Sequence, residues 1–275
     1  MSDNQSFKAL VAERAAAKAD APASKAASPR LRPRDASTLI IIDSTGPAPR
    51  ILLGRRRDDL KFMPGKYVFP GGRMDADDKT MVAARELRQS EADKLLIDMK
   101  GHPSPARVRG LAMTAVRETF EEAGIIIGGI AQAPADALAP PSENPSLDSP
   151  AVKTWRQFQA HGFAPDLAPL IYLARAITPP GRPRRFDTRF FCVEASAIAK
   201  NTDHNDGELS GLVWMTLDES RELDLPPITR VILEDLAERI AKRSLEDPTV
   251  PIPYYFNRHG TFRREMLHPL PAADR

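Results

Sequence analysis

Glu118, Glu121 and Glu122 stand within the run Arg117-Glu118-Thr119-Phe120-Glu121-Glu122-Ala123-Gly124-Ile125. On a helix, positions three and four apart share a face, so these three carboxylates project together. Anions held that close repel one another by about a few tenths of a kcal/mol per exposed pair. A hard cation with oxygen ligands relieves the repulsion. Mg²⁺ is the natural candidate, because it keeps waters that a phosphate can replace. A solvated, merely acidic helix face gives the same letters, so the flanking residues must discriminate.

Upstream, Phe69-Pro70-Gly71-Gly72 follows an apolar stretch. Downstream, the helix is expected to stop at Gly124, where a left-handed conformation costs glycine nothing. A strand-like run, Ile125-Ile126-Ile127, then begins. A glycine-rich strand exit, a helix bearing R-E-x-x-E-E, a glycine stop and a new strand resemble the Nudix box. That box marks hydrolases that cut nucleoside diphosphates linked to another moiety, with the pattern G-x5-E-x7-R-E-U-x-E-E-x-G-U, where U is aliphatic. The resemblance makes Gly72 its first glycine and Arg117 to Ile125 its second half. Thr119 takes the place of the first U, and about thirty residues are inserted inside the box. Counting forward from Gly72 puts the first glutamate's place on Asp78, and counting back from Arg117 puts it on Arg109.

The inserted segment contains an imitation, Ala83-Ala84-Arg85-Glu86-Leu87, which continues with neither paired glutamates nor a glycine. Thr80 to Met99 is expected to form an amphipathic packing helix with Val82, Leu87, Leu95 and Ile97 as apolar contacts. Strands are expected at Thr38 to Ile42, Arg50 to Leu53, Tyr67 to Phe69, Leu170 to Ala174, Phe186 to Val193 and Leu212 to Met215, from their aromatic and β-branched content. Helices are expected at Trp155 to His161, from near Asp218, and over Thr229 to Arg243, the last with Val231, Leu233, Leu236 and Ile240 inward. Ala131 to Pro150, dominated by Ala and Pro, reads as an extended surface loop. Together these elements predict an α+β domain in which helices cover a mixed sheet, in agreement with the Nudix α/β/α sandwich. Its expected limits are residues 37–250, with the insert at about 79–109, a disordered tail over 1–36 and an extension over 251–275.

With 275 residues and 42% apolar content, the chain can bury a proper core. A net charge of only +2 argues against a dedicated nucleic-acid or membrane-surface binder, while a pI near 8.7 does not oppose polyphosphate ligands. One cysteine excludes an intramolecular disulfide framework and a Cys-rich zinc site, and Cys192 reads as a small buried residue. The tail over 1–36 is rich in Ala, Lys, Arg, Ser and Pro, hence the expected disorder. Glu13, Asp20 and Asp35 argue against a transit peptide there. Without an export signal, a spanning segment or a peroxisomal address, the expected setting is the cytoplasm. A homodimer stays open.

The residues before the glycines are more specific than the box. Leu52-Leu53-Gly54-Arg55-Arg56, Lys61, Gly65 and Phe69-Pro70-Gly71-Gly72 resemble the coenzyme A diphosphatase motif L-L-T-x-R-[SA]-x3-R-x3-G-x3-F-P-G-G in all spacings, with Gly54, Arg57 and Lys61 substituted. Phe62-Met63-Pro64-Gly65, the long insert, Ala115-Val116-Arg117-Glu118 with Phe120, and Arg184-Arg185-Phe186-Asp187-Thr188 resemble animal Nudix type 19 acyl-CoA diphosphatases. The resemblance covers roughly residues 37 to 240. It implies attack of water on a diphosphate phosphorus, giving 3′,5′-ADP and a phosphopantetheine. Mg²⁺ or Mn²⁺ would be held by Glu118, Glu122 and Glu121, with Arg117 orienting a glutamate and Glu121 or Glu208 serving catalysis. Arg56, Lys61, Gly71, Gly72 and Arg185 would bind substrate, Arg55 and Arg184 could offset further phosphate charge, and Asp187 would fix Arg185. None of His102, His161 and His204 is expected to be catalytic. The small-molecule partner could instead be NADH, ADP-ribose, a dinucleotide, a nucleotide sugar or an RNA cap, since fold alone cannot choose. A sensor that binds a nucleotide without cutting it is a further reading, and the retained glutamates argue against it.

Overall fold

Thr38 to Ile42 is apolar at nearly every position, and it lies within β1 (Arg34–Asp43), a strand covered on both faces. Leu39 and Ile41 point into one core, Ile40 and Ile42 into another, as the two-residue period of a strand requires. The structure, a computed structural model, describes residues 8–9, 11–12, 31–60, 64–130, 149–203 and 207–269. After β1 come β2 (Arg50–Arg56), β3 (Tyr67–Val68), β4 (Gly71–Arg73), α1 (Gln89–Leu96), α2 (Pro105–Ala123) and β5 (Ile125–Ile130). Then follow α3 (Pro150–Ala160), β6 (Phe163–Pro165), β7 (Ile171–Ile177), β8 (Phe186–Glu194) and β9 (Ile198–Asn201). The described chain closes with β10 (Leu209–Thr216), α4 (Leu217–Arg221), α5 (Pro227–Ala241), β11 (Ile252–Arg258) and β12 (Thr261–Leu267).

The main sheet runs β10-β2-β1-β8-β7-β11-β12, with β3 beside β2 and β4 beside β1. It is mixed: β1 pairs in parallel with β8 and β7 with β11, and the other pairs are antiparallel. Helices α1, α2 and α3 cover one face through Leu95, Leu111, Phe120 and Trp155, and α5 covers the other through Val231, Ile232 and Leu236. A small second sheet, β6-β5-β9, continues from the end of α2. This is the expected α+β sandwich. Among the described residues, no helix is long and apolar enough to cross a membrane.

Helix α2 carries the box. Ser104 caps it by accepting from the Arg107 N–H, Pro105 occupies the first turn, and Gly124 ends it at φ 67°. Between those signals, Val108, Leu111, Ala112, Ala115, Val116 and Phe120 recur at helical spacing and are buried.

Four expectations differ from the structure. The helix expected over Thr80 to Met99 is confined to Gln89–Leu96. Residues before it run extended because the Ala84 N–H donates to the Pro165 carbonyl and the Leu167 N–H to the Arg85 carbonyl, so tertiary partners replace helical ones. Val82, expected inside, is exposed. Strand β1 starts at Arg34, within the span expected as tail. The segment set apart as an extension supplies β11 and β12, and Ile252, Tyr254 and Tyr255 lie in the cores. Most of the Ala/Pro-rich loop, 131–148, lies outside the described residues, as does nearly all of 1–30.

Candidate active site

Strand β4 lies on β1 with Thr38 opposite Gly71, Ser37 opposite Gly72 and Ala36 opposite Arg73. Helix α2 crosses directly over it. The Gly71 N–H donates to Glu122 Oε2 at 2.9 Å. A Cβ on Gly72 would sit 2.5 Å from Glu118 Oε2, and one on Gly71 would sit 2.6 Å from the Ser37 carbonyl oxygen. Backbone thus leaves no room for a side chain at Gly71, and a side chain at Gly72 would displace the Glu118 carboxylate, so the two glycines let backbone and carboxylates meet.

Arg117 is the hub of the site, with its side chain 5% exposed. Nε donates to Asp78 Oδ1 at 2.8 Å, Nη1 to Glu121 Oε2 at 2.9 Å, and Nη2 to the Arg73 carbonyl at 3.0 Å. Nη2 also lies 2.9 Å from Glu118 Oε1. Burial works against this guanidinium, but Glu118 and Asp78 more than offset it, so its pKa is raised and its charge is fixed. Arg117 thus pairs with Glu118 and Glu121 of its own helix and with Asp78.

The open count inside the box is settled by geometry. Asp78, fully buried, takes the acidic place: besides Arg117 it accepts from Thr114 Oγ1 at 2.8 Å, Trp155 Nε1 at 3.0 Å and the Asp75 N–H at 2.9 Å. Arg109 instead pairs with Glu86 at 2.9 Å and donates to the Lys79 carbonyl. Arg85, the other half of the imitation box, pairs with Asp166. Both halves of the imitation are thus held in ion pairs away from Arg117. Thr119 satisfies its buried hydroxyl by donating to the Ala115 carbonyl at 2.8 Å, which explains how the aliphatic place accepts it.

Glu118 is the electrostatically costly member. Burial pushes its carboxyl up to about 7, against the lowering effect of Arg117 and together with the repulsion of Glu121. A buried carboxylate held near neutrality is one that an added cation would favour. Among the described residues, no three acidic, histidine or cysteine side chains already converge as a closed cage.

Of the other expected site residues, Arg56 and Glu208 come together. Arg56 lies opposite Leu209 in the β2–β10 register, and its Nη2 is 3.0 Å from Glu208 Oε2. Arg55 pairs with Asp58 at 2.8 Å and Arg57 with Asp59 at 2.6 Å, so these motif arginines are already engaged. Lys61 lies outside the described residues. Arg185 donates to the Thr178 and Leu31 carbonyls at 3.0 and 2.6 Å. The pairing expected between Arg185 and Asp187 is absent among the described residues: Asp187 is held by Arg175 and Arg189, each at 2.7 Å, because its side chain turns into the β7–β8 core. Cys192 is fully buried, and burial pushes its thiol up to about 12, which leaves a packing role. Trp155 and Thr154, which donates to Glu121 Oε2 at 3.3 Å, escaped the sequence reading. Nothing local to α3 signals contacts with residues 77 and 33 positions away.

A glycine strand pressed against the carboxylates of the following helix, two of them paired with one buried arginine, is the arrangement that a Nudix box builds. A family model described as the NUDT19 Nudix domain matches residues 33–224, and the chain belongs to that family of Nudix hydrolases. The acyl-coenzyme A diphosphatase NUDT19 of Gallus gallus is 27% identical over 242 residues, covering 70% of this chain and 64% of its own length. The matched chain therefore spans just under two-thirds of that relative. A NUDIX hydrolase of Alicyclobacillus acidocaldarius is 27% identical at a TM-score of 0.49, with 79% of this chain and 93% of that one covered. The NUDIX domain of Shewanella oneidensis NrtR, solved with ADP ribose, is 10% identical at a TM-score of 0.42, with 82% and 97% covered.

Proposed function

We propose that the chain hydrolyses the diphosphate of coenzyme A or an acyl-CoA, yielding 3′,5′-ADP and the corresponding phosphopantetheine. The observation that carries this reading is the family match over residues 33–224, on a chain that keeps all three box carboxylates and their arginine. The similarity to a named acyl-coenzyme A diphosphatase supports the substrate class.

In this reading, Glu118 and Glu122 hold a divalent cation, Mg²⁺ or Mn²⁺, with Glu121 beside them. When bound, the cation neutralises diphosphate charge and makes water a better nucleophile at neutral pH. Arg117 fixes the carboxylates so that no reorientation is needed during the reaction. Water adds to one phosphorus as the bridging P–O bond breaks, and either Glu121 or Glu208 takes the proton. Gly71 and Gly72 let the phosphates approach the backbone, while Arg56, Lys61 and Arg185 complete the substrate contacts.

A hydrolysis screen tests this directly. The full chain, supplied with Mg²⁺ or Mn²⁺, is offered free CoA, acyl-CoAs, NADH, ADP-ribose and diadenosine polyphosphates, and the products are weighed by mass spectrometry. CoA or an acyl-CoA should give the highest kcat/KM. Faster cleavage of NADH or ADP-ribose would move the protein to another substrate class.

A further inference from the structure

Arg55 and Arg56, expected to meet phosphate, and Arg57 beside them all face carboxylate partners. A different set does not. At the start of β1 and β8, a cavity of about 470 Å³ is lined by Arg32, Arg34, Arg73, Arg184 and Arg185 together with the apolar Phe186, and no acidic residue lines it. Among the described residues, the one ion pair that any of these five arginines forms is the long Arg73–Asp75 contact at 3.9 Å. Guanidinium groups stay charged at any physiological pH, so the cavity presents positive charge to any anion that enters it.

The walls are built rather than loose. The Arg34 N–H donates to the Arg185 carbonyl at 2.9 Å, and Arg185 in turn ties the Thr178 and Leu31 carbonyls together. Phe186 donates its N–H to Thr178 Oγ1 at 3.1 Å. Arg185 is thus the frame, while Arg32, Arg34, Arg73 and Arg184 are exposed to an incoming group.

Position supplies the link to catalysis. Arg73 follows Gly72, the residue against which Glu118 packs, and the Arg73 carbonyl accepts from Arg117. One residue therefore has its main chain in the catalytic hub and its side chain in the arginine cavity. Arg34 lies two residues along β1 from Ala36, the partner of Arg73 in register, a separation of about 7 Å. A ligand whose diphosphate lies at the box carboxylates has this cavity within reach of a second phosphate.

We propose that the cavity is the subsite for a phosphate monoester that the substrate carries apart from its scissile diphosphate. Arginine forks suit the three oxygens of such a dianion, and the volume fits one small-molecule group rather than a nucleic-acid strand. The inference rests on the CoA reading given above, in which the 3′-phosphate of the adenosine is that monoester.

Binding separates this inference from the reading beneath it. The full chain is titrated calorimetrically with adenosine 3′,5′-bisphosphate and with AMP, which lacks the second phosphate. The bisphosphate should bind roughly ten- to a hundredfold more tightly, the range of a lost charge-assisted contact. Arg34→Ala and Arg184→Ala should each shrink that ratio, the double variant should bring it close to one, and Arg184→Lys should restore part of it. Because both side chains are exposed, the melting temperature should stay within about 2 °C of the parent. Equal affinities for the two nucleotides in the parent chain, or arginine variants that weaken both nucleotides equally, would overturn the subsite. Failure of CoA hydrolysis with the affinity ratio intact would remove the substrate reading and leave the monoester subsite standing.

Discussion

Glu122 accepts the Gly71 N–H and contributes negative charge where α2 meets β4. Glu122→Gln preserves size and an acceptor oxygen while removing the charge. Turnover should fall at least about a hundredfold, as when one preorganised electrostatic contact is lost, with melting temperature nearly unchanged. Near-normal turnover at saturating Mg²⁺ would exclude the metal role. Glu118 supplies the pH dependence. Its carboxyl is raised to about 7 in the fold, so the metal-free protein keeps the benefit of the neutral form below the usual carboxylate range and loses it as pH rises through about 7. A divalent cation competes with that proton, so the Mg²⁺-induced gain in melting temperature should be larger at pH 8 than at pH 6. An equal gain at both values would dissociate Glu118 from the metal. The three glutamates were legible because helical spacing groups them before any fold is known. Asp78 was not, since a long insertion breaks the count, and only the Arg117 contact at 2.8 Å chooses it over Arg109.

The insert shows why local pattern misleads at the scale of an element. Thr80 to Met99 has helix-forming residues, yet Arg85 makes a parallel bridge with Asp166 and the chain there is extended. Hydrogen bonds to β6 and the turn after it outweigh propensity of a few tenths of a kcal/mol per residue. By contrast, α2 and its stop at Gly124 were legible because periodicity and cap agree. Arg85 and Glu86 engage Asp166 and Arg109, so replacing both by Ala should leave the metal-dependent rate within a few-fold. A loss matching that of Glu122→Gln, read in the same assay, would mean that the insert carries chemistry.

At the scale of the whole molecule, the sheet is finished by residues beyond the reach of the family resemblance. The matched family domain ends at residue 224, yet β11 inserts between β7 and β12. Tyr255 donates to Asp235 Oδ2 on α5, and Arg264 from β12 pairs with the same Asp235 at 3.0 Å. This hairpin therefore helps hold α5 on the sheet. A chain ending at residue 250 would leave β7 paired only with β8 and both cores open, so it should lose cooperative thermal unfolding and aggregate. A sharp melt within about 3 °C of the parent would contradict that role. The mixed sheet and its two helix layers were legible from the order of apolar runs. The hairpin was not, because a parallel pairing with β7 depends on contacts far apart in the chain.

The Arg117–Asp78 bond joins residues 39 positions apart, one before the insertion and one after it. Arg109 adds a second stitch by donating to the Lys79 carbonyl at 3.1 Å. The inserted segment is therefore a long loop held at both of its ends. Closing a flexible loop costs only about 0.6 kcal/mol more for each doubling of its length. The clamp fixes where the Nudix box resumes, and Met81, Leu95 and Met99 pack the middle of the segment into the core, so an interruption this long keeps the carboxylates in place by being built into the domain instead of hanging outside it.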